Sequence, residues 1–154
     1  MEETTAIRWF RRIQRIPFHN ALIVFGLKLA APYSANIRPR ILKAEPCSME
    51  IAMKKRRAVT NHMRTVHAVA MANLVELTAS ACVQMSIPRS ARWIPSGLNI
   101  RYLKKARSDL RAVCRFDPPD WQTKQDIEIP VDVFDTEGDK VVAATLLMRI
   151  GPKL

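Results

Sequence analysis

The chain has 154 residues, the size of one ordinary domain, and 48% of them are hydrophobic, ample for a core. Its 25 Lys and Arg against 14 Asp and Glu give a formal net charge of +11, and that charge is uneven: residues 1–67 hold 13 basic and 4 acidic residues, whereas residues 68–154 hold 12 and 10. No zinc-finger spacing accompanies the charge and only 6% of residues are aromatic, which argues against nucleic acid and leaves an anionic membrane surface or a phosphate-bearing small ligand as its partner.

The first predicted element is a helix over residues 4–16. Ile7, Phe10, Ile13 and Ile16 recur every three residues, Arg8, Arg11, Arg12 and Arg15 cover the other side, and Pro17 stops it. A second, short helix is expected over His19–Leu29, ending before Pro32. Arg11-Arg12, the apolar run Ala21–Leu27 and the small residues after it superficially resemble a secretion leader. Glu2, Glu3, the long polar start and Lys28 count against one. The run is also shorter than the ~20 apolar residues of a membrane span. Two helices packed over the domain, with a solvated basic face, are the expected arrangement; contact of that basic face with a membrane surface is the alternative.

Two strands follow, Asn36–Ala44 and Ser48–Lys55, separated at Glu45-Pro46-Cys47, with Met49, Ile51 and Met53 sharing a face. Residues 56–61 lead as a loop to the longest apolar run of the chain, Thr65 to Cys82, predicted as a helix over about Ala68–Gln84. A helix apolar nearly all round should be buried. Its single acid, Glu76, is then costly unless paired, hydrogen-bonded or neutralised. Asn73 and Ser80 stand at helical spacing from Glu76 and on its face, able to satisfy the carboxylate or to shape a pocket. After a connection over residues 87–92, four strands are predicted: Gly97–Lys104, Asp109–Asp117, Asp126–Asp135 and Lys140–Ile150, the last two flanking the hairpin turn Thr136-Glu137-Gly138-Asp139. Two strands, one long apolar helix and four strands imply an α+β layer architecture with the sheet curled round the helix. Cys47, Cys82 and Cys114 are odd in number, far apart and in no CxxC pair, which points to reduced thiols in a cytoplasmic protein and to no metal site. Cys82, on the apolar helix, is read as packing.

This order, and this helix, resemble the hotdog fold, a curved antiparallel sheet wrapped round a central helix. Locally the chain is similar to acyl-CoA thioesterases of the phenylacetate-degradation type, which carry an Asn, a His six residues on, and an acid nine residues after the His. Asn61, His67 and Glu76 keep both spacings, and Thr65-Val66-His67-Ala68 followed by Ala70, Asn73-Leu74 and Glu76 is very like the pattern of one bacterial branch. The resemblance covers roughly residues 34–150 and implies a hotdog domain at 34–154, with residues 1–33 as an N-terminal helical extension. It also implies a homodimer, with a tetramer made of two such dimers as the alternative assembly. In such a site the helix acid, Glu76, serves as general base or nucleophile, and the backbone N–H after the His, here that of Ala68, polarises the thioester oxygen. Asn61 orients water or the acyl carbonyl, and His67 is structural. Asn61, His67 and Ala68 of one subunit would face Glu76 of the other.

The chain departs from that pattern in three places. Ala68-Val69 replaces the usual Gly-Gly, Glu76 stands where many relatives have Asp, and Pro95 occupies the place of an assisting Ser or Thr, with Ser96 adjacent but facing away if the strand is regular. The resemblance implies no cofactor other than coenzyme A as part of the substrate. Arg56, Arg57 and Arg64 before the helix, and Lys104, Lys105 and Arg107 after the following strand, are candidates for holding its phosphates. A hotdog dehydratase or hydratase, and a non-catalytic acyl-CoA-binding or membrane-surface protein, are the rival readings.

Overall fold

The computed structural model describes residues 5–13 and 15–153. Its helices are α1 (Thr5–Ile13), α2 (His19–Ala30), α3 (Pro32–Ala35) and α4 (Ala68–Ser86); its strands are β1 (Arg40–Glu45), β2 (Ser48–Met53), β3 (Ala91–Tyr102), β4 (Leu110–Arg115), β5 (Gln125–Phe134) and β6 (Lys140–Pro152). One turn of 3-10 helix, Arg57–Val59, lies between β2 and α4. The predicted start of the first helix at Thr4, like Gln14, lies outside the described residues.

The six strands make one antiparallel sheet in the order β1-β2-β4-β5-β6-β3. Period-2 alternation sends Met49, Ile51 and Met53, then Leu110, Ala112 and Cys114, then Ile129, Val131 and Val133, and then Val142, Leu146, Met148 and Ile150 into the core. Helix α4 lies across this inner face and touches all six strands. Leu74, Val75, Ala79, Cys82 and Val83 of α4 are fully buried there, and each Leu or Val contributes about 1.5–3 kcal/mol relative to exposure. The architecture is the hotdog arrangement expected from the strand–helix–strand order.

An apolar helix must satisfy its few polar side chains locally. The Thr78 hydroxyl donates to the Leu74 carbonyl (2.6 Å), and the Ser86 hydroxyl donates to the Cys82 carbonyl (2.6 Å) while accepting from the Cys47 N–H (2.7 Å). All three cysteines are free and buried. Cys82 of α4 and Cys114 of β4, remote in sequence, meet in the core. Their hydrogen bond, with burial, pushes the Cys82 thiol pKa up, and burial does the same at Cys47. Cys47 and Cys82 are therefore packing thiols with little thiolate character. The outer face of the sheet carries cross-strand ion pairs instead: Glu50 with Arg111 (2.9 Å) and Arg115 (3.2 Å), Asp126 with Arg149 (2.8 Å), and Asp132 with Lys140 (2.6 Å).

Two strands start four or more residues from their predicted positions, for identifiable reasons. β1 begins at Arg40, not Asn36, because Arg38 adopts a left-handed φ of 50° and Pro39 has no N–H for a ladder; the short helix α3 takes residues just before. β3 begins six residues earlier than predicted, at Ala91. Pro95 masks this strand in the sequence, yet β3 is a sheet edge, where a missing N–H faces no partner. The register against β6 shifts between Pro95 and Gly97, so Ser96 is a bulged, exposed residue and the alternation that would have turned it away does not apply. Gly97 keeps this strand close to β6: a Cβ there would come within 3.1 Å of Leu147 Cδ1.

Candidate functional site

Asn61, His67 and Ala68 sit where the chain enters α4. Thr60 and Val66 form an isolated bridge, and between them the chain doubles back. Asn61 braces that loop: its Oδ1 accepts from the Met63 N–H (3.0 Å), the Thr65 N–H (3.2 Å) and the Thr65 hydroxyl (3.1 Å). Its backbone N–H donates to the Thr65 carbonyl (2.9 Å), and Arg64 takes a left-handed φ of 58° to close the turn. With Oδ1 committed three times over, Asn61 has its Nδ2 donors left for any other partner.

His67 is the N-cap of α4. Its backbone is extended (φ −66°, ψ 138°), and its Nδ1 accepts from the Val69 N–H at 3.1 Å, which places the proton of the neutral ring on Nε2. The His67 N–H is held by the Val59 carbonyl (2.8 Å) and the Val66 N–H by that of Ala106 (2.8 Å), so the helix start is pinned from two sides. From β3, the Tyr102 hydroxyl donates to the Ala68 carbonyl at 3.1 Å. The first-turn N–H groups of a helix have no intrahelical acceptor. His67 takes that of Val69, and among the described residues the Ala68 N–H has no acceptor; it sits at the positive end of the helix dipole. Removing the cap with His67→Ala is expected to cost about 1 kcal/mol and to lower Tm by a few degrees, whereas His67→Asn, itself a good cap, keeps most of that stability; thermal melts of the two variants measure the difference.

Glu76 lies two turns further along α4. It is half-buried, not buried: Val69, Ala72 and Glu76 form a strip of α4 that the fold leaves partly open, because the sheet covers the helix from the other side. Ser80 donates its hydroxyl to Glu76 Oε1 at 2.8 Å, the i,i+4 contact expected from their spacing. Asn73 does not join them. Its Nδ2 donates to the Tyr33 carbonyl of α3 (3.1 Å), and its Oδ1 is buried without a partner.

Two cavities adjoin this helix start. One, of about 330 Å³, is lined by Tyr33, Asn36, Val59, His67, Val69 and Asn73 among others. The second, of about 500 Å³, is lined by Lys55, Arg56, Arg57, Thr60, Asn61 and Arg64. Thr60 borders both. Three of the six predicted phosphate contacts therefore converge, joined by Lys55, which the sequence reading left out. Arg56 donates to the Asn36 carbonyl, and its buried Nε has no partner. Burial, and then the nearby charge of Arg38, lower its pKa, so this corner holds positive charge at a cost that an anion would relieve. Lys104, Lys105 and Arg107 do not line it. Lys104 is ion-paired with Asp139 at the β5–β6 hairpin, which raises its pKa, and Lys105 and Arg107 are exposed. The Arg107 carbonyl accepts from Lys55 Nζ (2.9 Å), so Arg107 supports the pocket through its backbone.

Tyr102, Thr65 and Lys55 are the participants that sequence reasoning missed. Thr65 carried a signal, a hydroxyl residue four positions after an Asn in a turn. Tyr102 did not, since its contact with Ala68 spans 34 residues of chain.

The family model described as a domain of unknown function, DUF4442, matches residues 19–150. No curated protein matches the sequence. Among solved structures, the structural-genomics protein APC5556 is similar at a TM-score of 0.83 and 34% identity, over 93% of this chain and 95% of that one. A Pseudomonas aeruginosa protein of unknown function, named a probable thioesterase, gives 0.77 and 19% over 90% of this chain and 97% of its own. A thioesterase family protein from Silicibacter pomeroyi gives 0.71 and 14% over 87% and 99%. At those identities the last two establish the shared hotdog fold.

Proposed function

The chain belongs to the DUF4442 family, and on that premise we propose that it hydrolyses an acyl-CoA thioester at a site shared by two copies. One observation carries the reading: a single helix presents an N–H with no acceptor at its start, on Ala68, and a half-buried carboxylate with one oxygen held by Ser80, on Glu76. An N-terminal N–H favours charge developing on an oxyanion, and a fixed carboxylate can take a proton from water.

In this mechanism the thioester oxygen accepts from the Ala68 N–H. Glu76 removes a proton from a water that attacks the carbonyl carbon, and the tetrahedral oxyanion rests at the helix end. Collapse breaks the C–S bond, and the proton held by Glu76 passes to the departing thiolate. Asn61 Nδ2 donates to the water or the acyl oxygen. The two ends of this arrangement belong to different copies, because eight residues of α-helix separate Ala68 from Glu76 by about 12 Å, beyond hydrogen-bond and one-water reach. The edge strand β3 supports the pairing. It is 12 residues long, lacks a neighbour on one side, and exposes Ile94, Leu98 and Tyr102. Pro95 and the bulge at Ser96 interrupt its first half, and residues 97–102 remain as an open edge that can template the same strand of a second copy.

The cationic cavity of Lys55, Arg56, Arg57 and Arg64 is assigned to the phosphates of coenzyme A. The test follows thiol release from a panel of acyl-CoA thioesters and from the pantetheine thioesters of the same acids, which lack the nucleotide. Arg57→Ala with Arg64→Asn, a residue that tolerates the left-handed φ, is expected to raise KM for the CoA thioesters about tenfold or more and to leave pantetheine thioesters unaffected. Equal effects on both would remove the phosphate assignment; no thiol release from any acyl-CoA would overturn the hydrolase.

A further inference from the structure

Helix α2 is apolar on two opposite sides, and the protein covers one of them. Ile23 and Leu27 pack against the core. At 3.6 residues per turn, Leu22, Phe25 and Leu29 lie on the opposite side, and the exposed N-cap residue Phe18, at a left-handed φ of 62°, precedes them. These four are 51%, 61%, 75% and 85% exposed in the order Leu22, Phe25, Leu29, Phe18, and no residue of α2 is fully buried. An apolar stripe of this size on a solvent face marks a docking surface.

The charge of the sequence segment that carries the stripe selects the partner. Between Thr4 and Ala44 the chain has eight cations (Arg8, Arg11, Arg12, Arg15, Lys28, Arg38, Arg40 and Lys43) and no acid. Helix α1 buries Ile7 and Phe10 in the protein and leaves Arg8, Arg11 and Arg12 exposed. On α2, Lys28 stands about a quarter-turn from the stripe. A second copy brought against this face would set cations against cations, whereas anionic lipid headgroups meet them with opposite charge while the acyl boundary takes the Phe and Leu side chains. Twelve residues of helix span about 18 Å, too short to cross the hydrocarbon core.

We propose that α2 is an interfacial anchor that lies in the plane of an anionic lipid surface, seated by Phe18, Leu22, Phe25 and Leu29 and flanked by the cations of the N-terminal segment. Four residues beyond Leu29 in sequence, Tyr33 is exposed and lines the cavity at the start of α4. The inference does not depend on the hydrolase reading.

The test is cosedimentation of the full chain with vesicles of phosphatidylcholine alone and of phosphatidylcholine with about one-third phosphatidylglycerol, alongside size-exclusion chromatography. Binding to the anionic vesicles should exceed that to neutral ones at least tenfold and weaken as salt is raised. The double variant F25S/L29S should lose at least tenfold of it with its elution volume and melting temperature unchanged. Lys28→Glu, which leaves the stripe intact, should weaken anionic binding alone. Equal binding to both vesicle types, no binding to either, or undiminished binding by F25S/L29S would overturn the anchor. A shift of F25S/L29S to a smaller assembly would overturn it in favour of a second copy on this face.

Discussion

Glu76→Gln is expected to lower kcat for thioester hydrolysis by about 10²–10⁴-fold, the range in which a positioned general base acts, with little change in substrate affinity. The substitution is nearly isosteric. The amide oxygen still accepts the Ser80 hydroxyl that Oε1 accepts at 2.8 Å, and the half-buried position gives the amide room to hydrate. Loss of turnover therefore reports loss of the base and not of the helix, which matching thermal melts of the two proteins would check. A non-catalytic binder tolerates the change, so retained acyl-CoA affinity with retained turnover would remove Glu76 from the chemistry. Ser80→Ala gives the graded comparison: one neutral hydrogen bond is lost, worth about 1 kcal/mol, and the effect on rate should be several-fold, well short of that of Glu76→Gln.

How far this site was legible in the sequence depended on whether its signal was local. Helix α4 was plain, because the longest apolar run of the chain carries a single acid and reads as a buried helix, and the alternation of Met49, Ile51 and Met53 or of Leu110, Ala112 and Cys114 gave the inner face of the sheet directly. The spacings joining Asn61, His67 and Glu76 also survived into three dimensions as one capped helix and the loop that enters it. Long-range pairing stayed hidden. Pro95 concealed the first half of β3, since Pro argues against a strand unless the strand is known to be an edge. Composition made α4 look buried all round, and the sheet left the Val69–Ala72–Glu76 strip partly open. Asn73 shares a helical face with Glu76 by spacing but finds the Tyr33 carbonyl on α3, an element the sequence reading lacked. Clustered basic residues before α4 did mark a pocket, because that segment is short and folds on itself; the equally basic run after β3 did not, because Asp139 of a distant hairpin takes Lys104.

Ala68→Pro isolates the other half of the mechanism, a single backbone proton. Proline at the first position of a helix is favourable, its ring fixing φ near the helical value and its missing N–H being one that the helix does not use. The residue before a proline is driven to extended backbone, and His67 is already there at φ −66° and ψ 138°. The N-cap bond from the Val69 N–H to His67 Nδ1 and the Tyr102 bond to the Ala68 carbonyl use groups that proline keeps. Stability should therefore hold, while kcat falls by about 10²–10³-fold if the Ala68 N–H holds the oxyanion, the usual cost of removing one such donor. A melting temperature within a few degrees of the parent with undiminished turnover would remove the N–H from the mechanism. The pair of variants then tests the shared site. If Ala68 of one copy works with Glu76 of the other, subunits exchanged between Glu76→Gln and Ala68→Pro homodimers form heterodimers with one intact site and one doubly defective site. An equal, statistical mixture should recover about a quarter of the parent activity from two nearly inactive proteins. Both groups acting within one chain would give no recovery, since every site would then carry one of the two lesions. The roughly 12 Å of helix between Ala68 and Glu76 argues for recovery, and it does so from the length of a helix alone, before any contact between copies is specified.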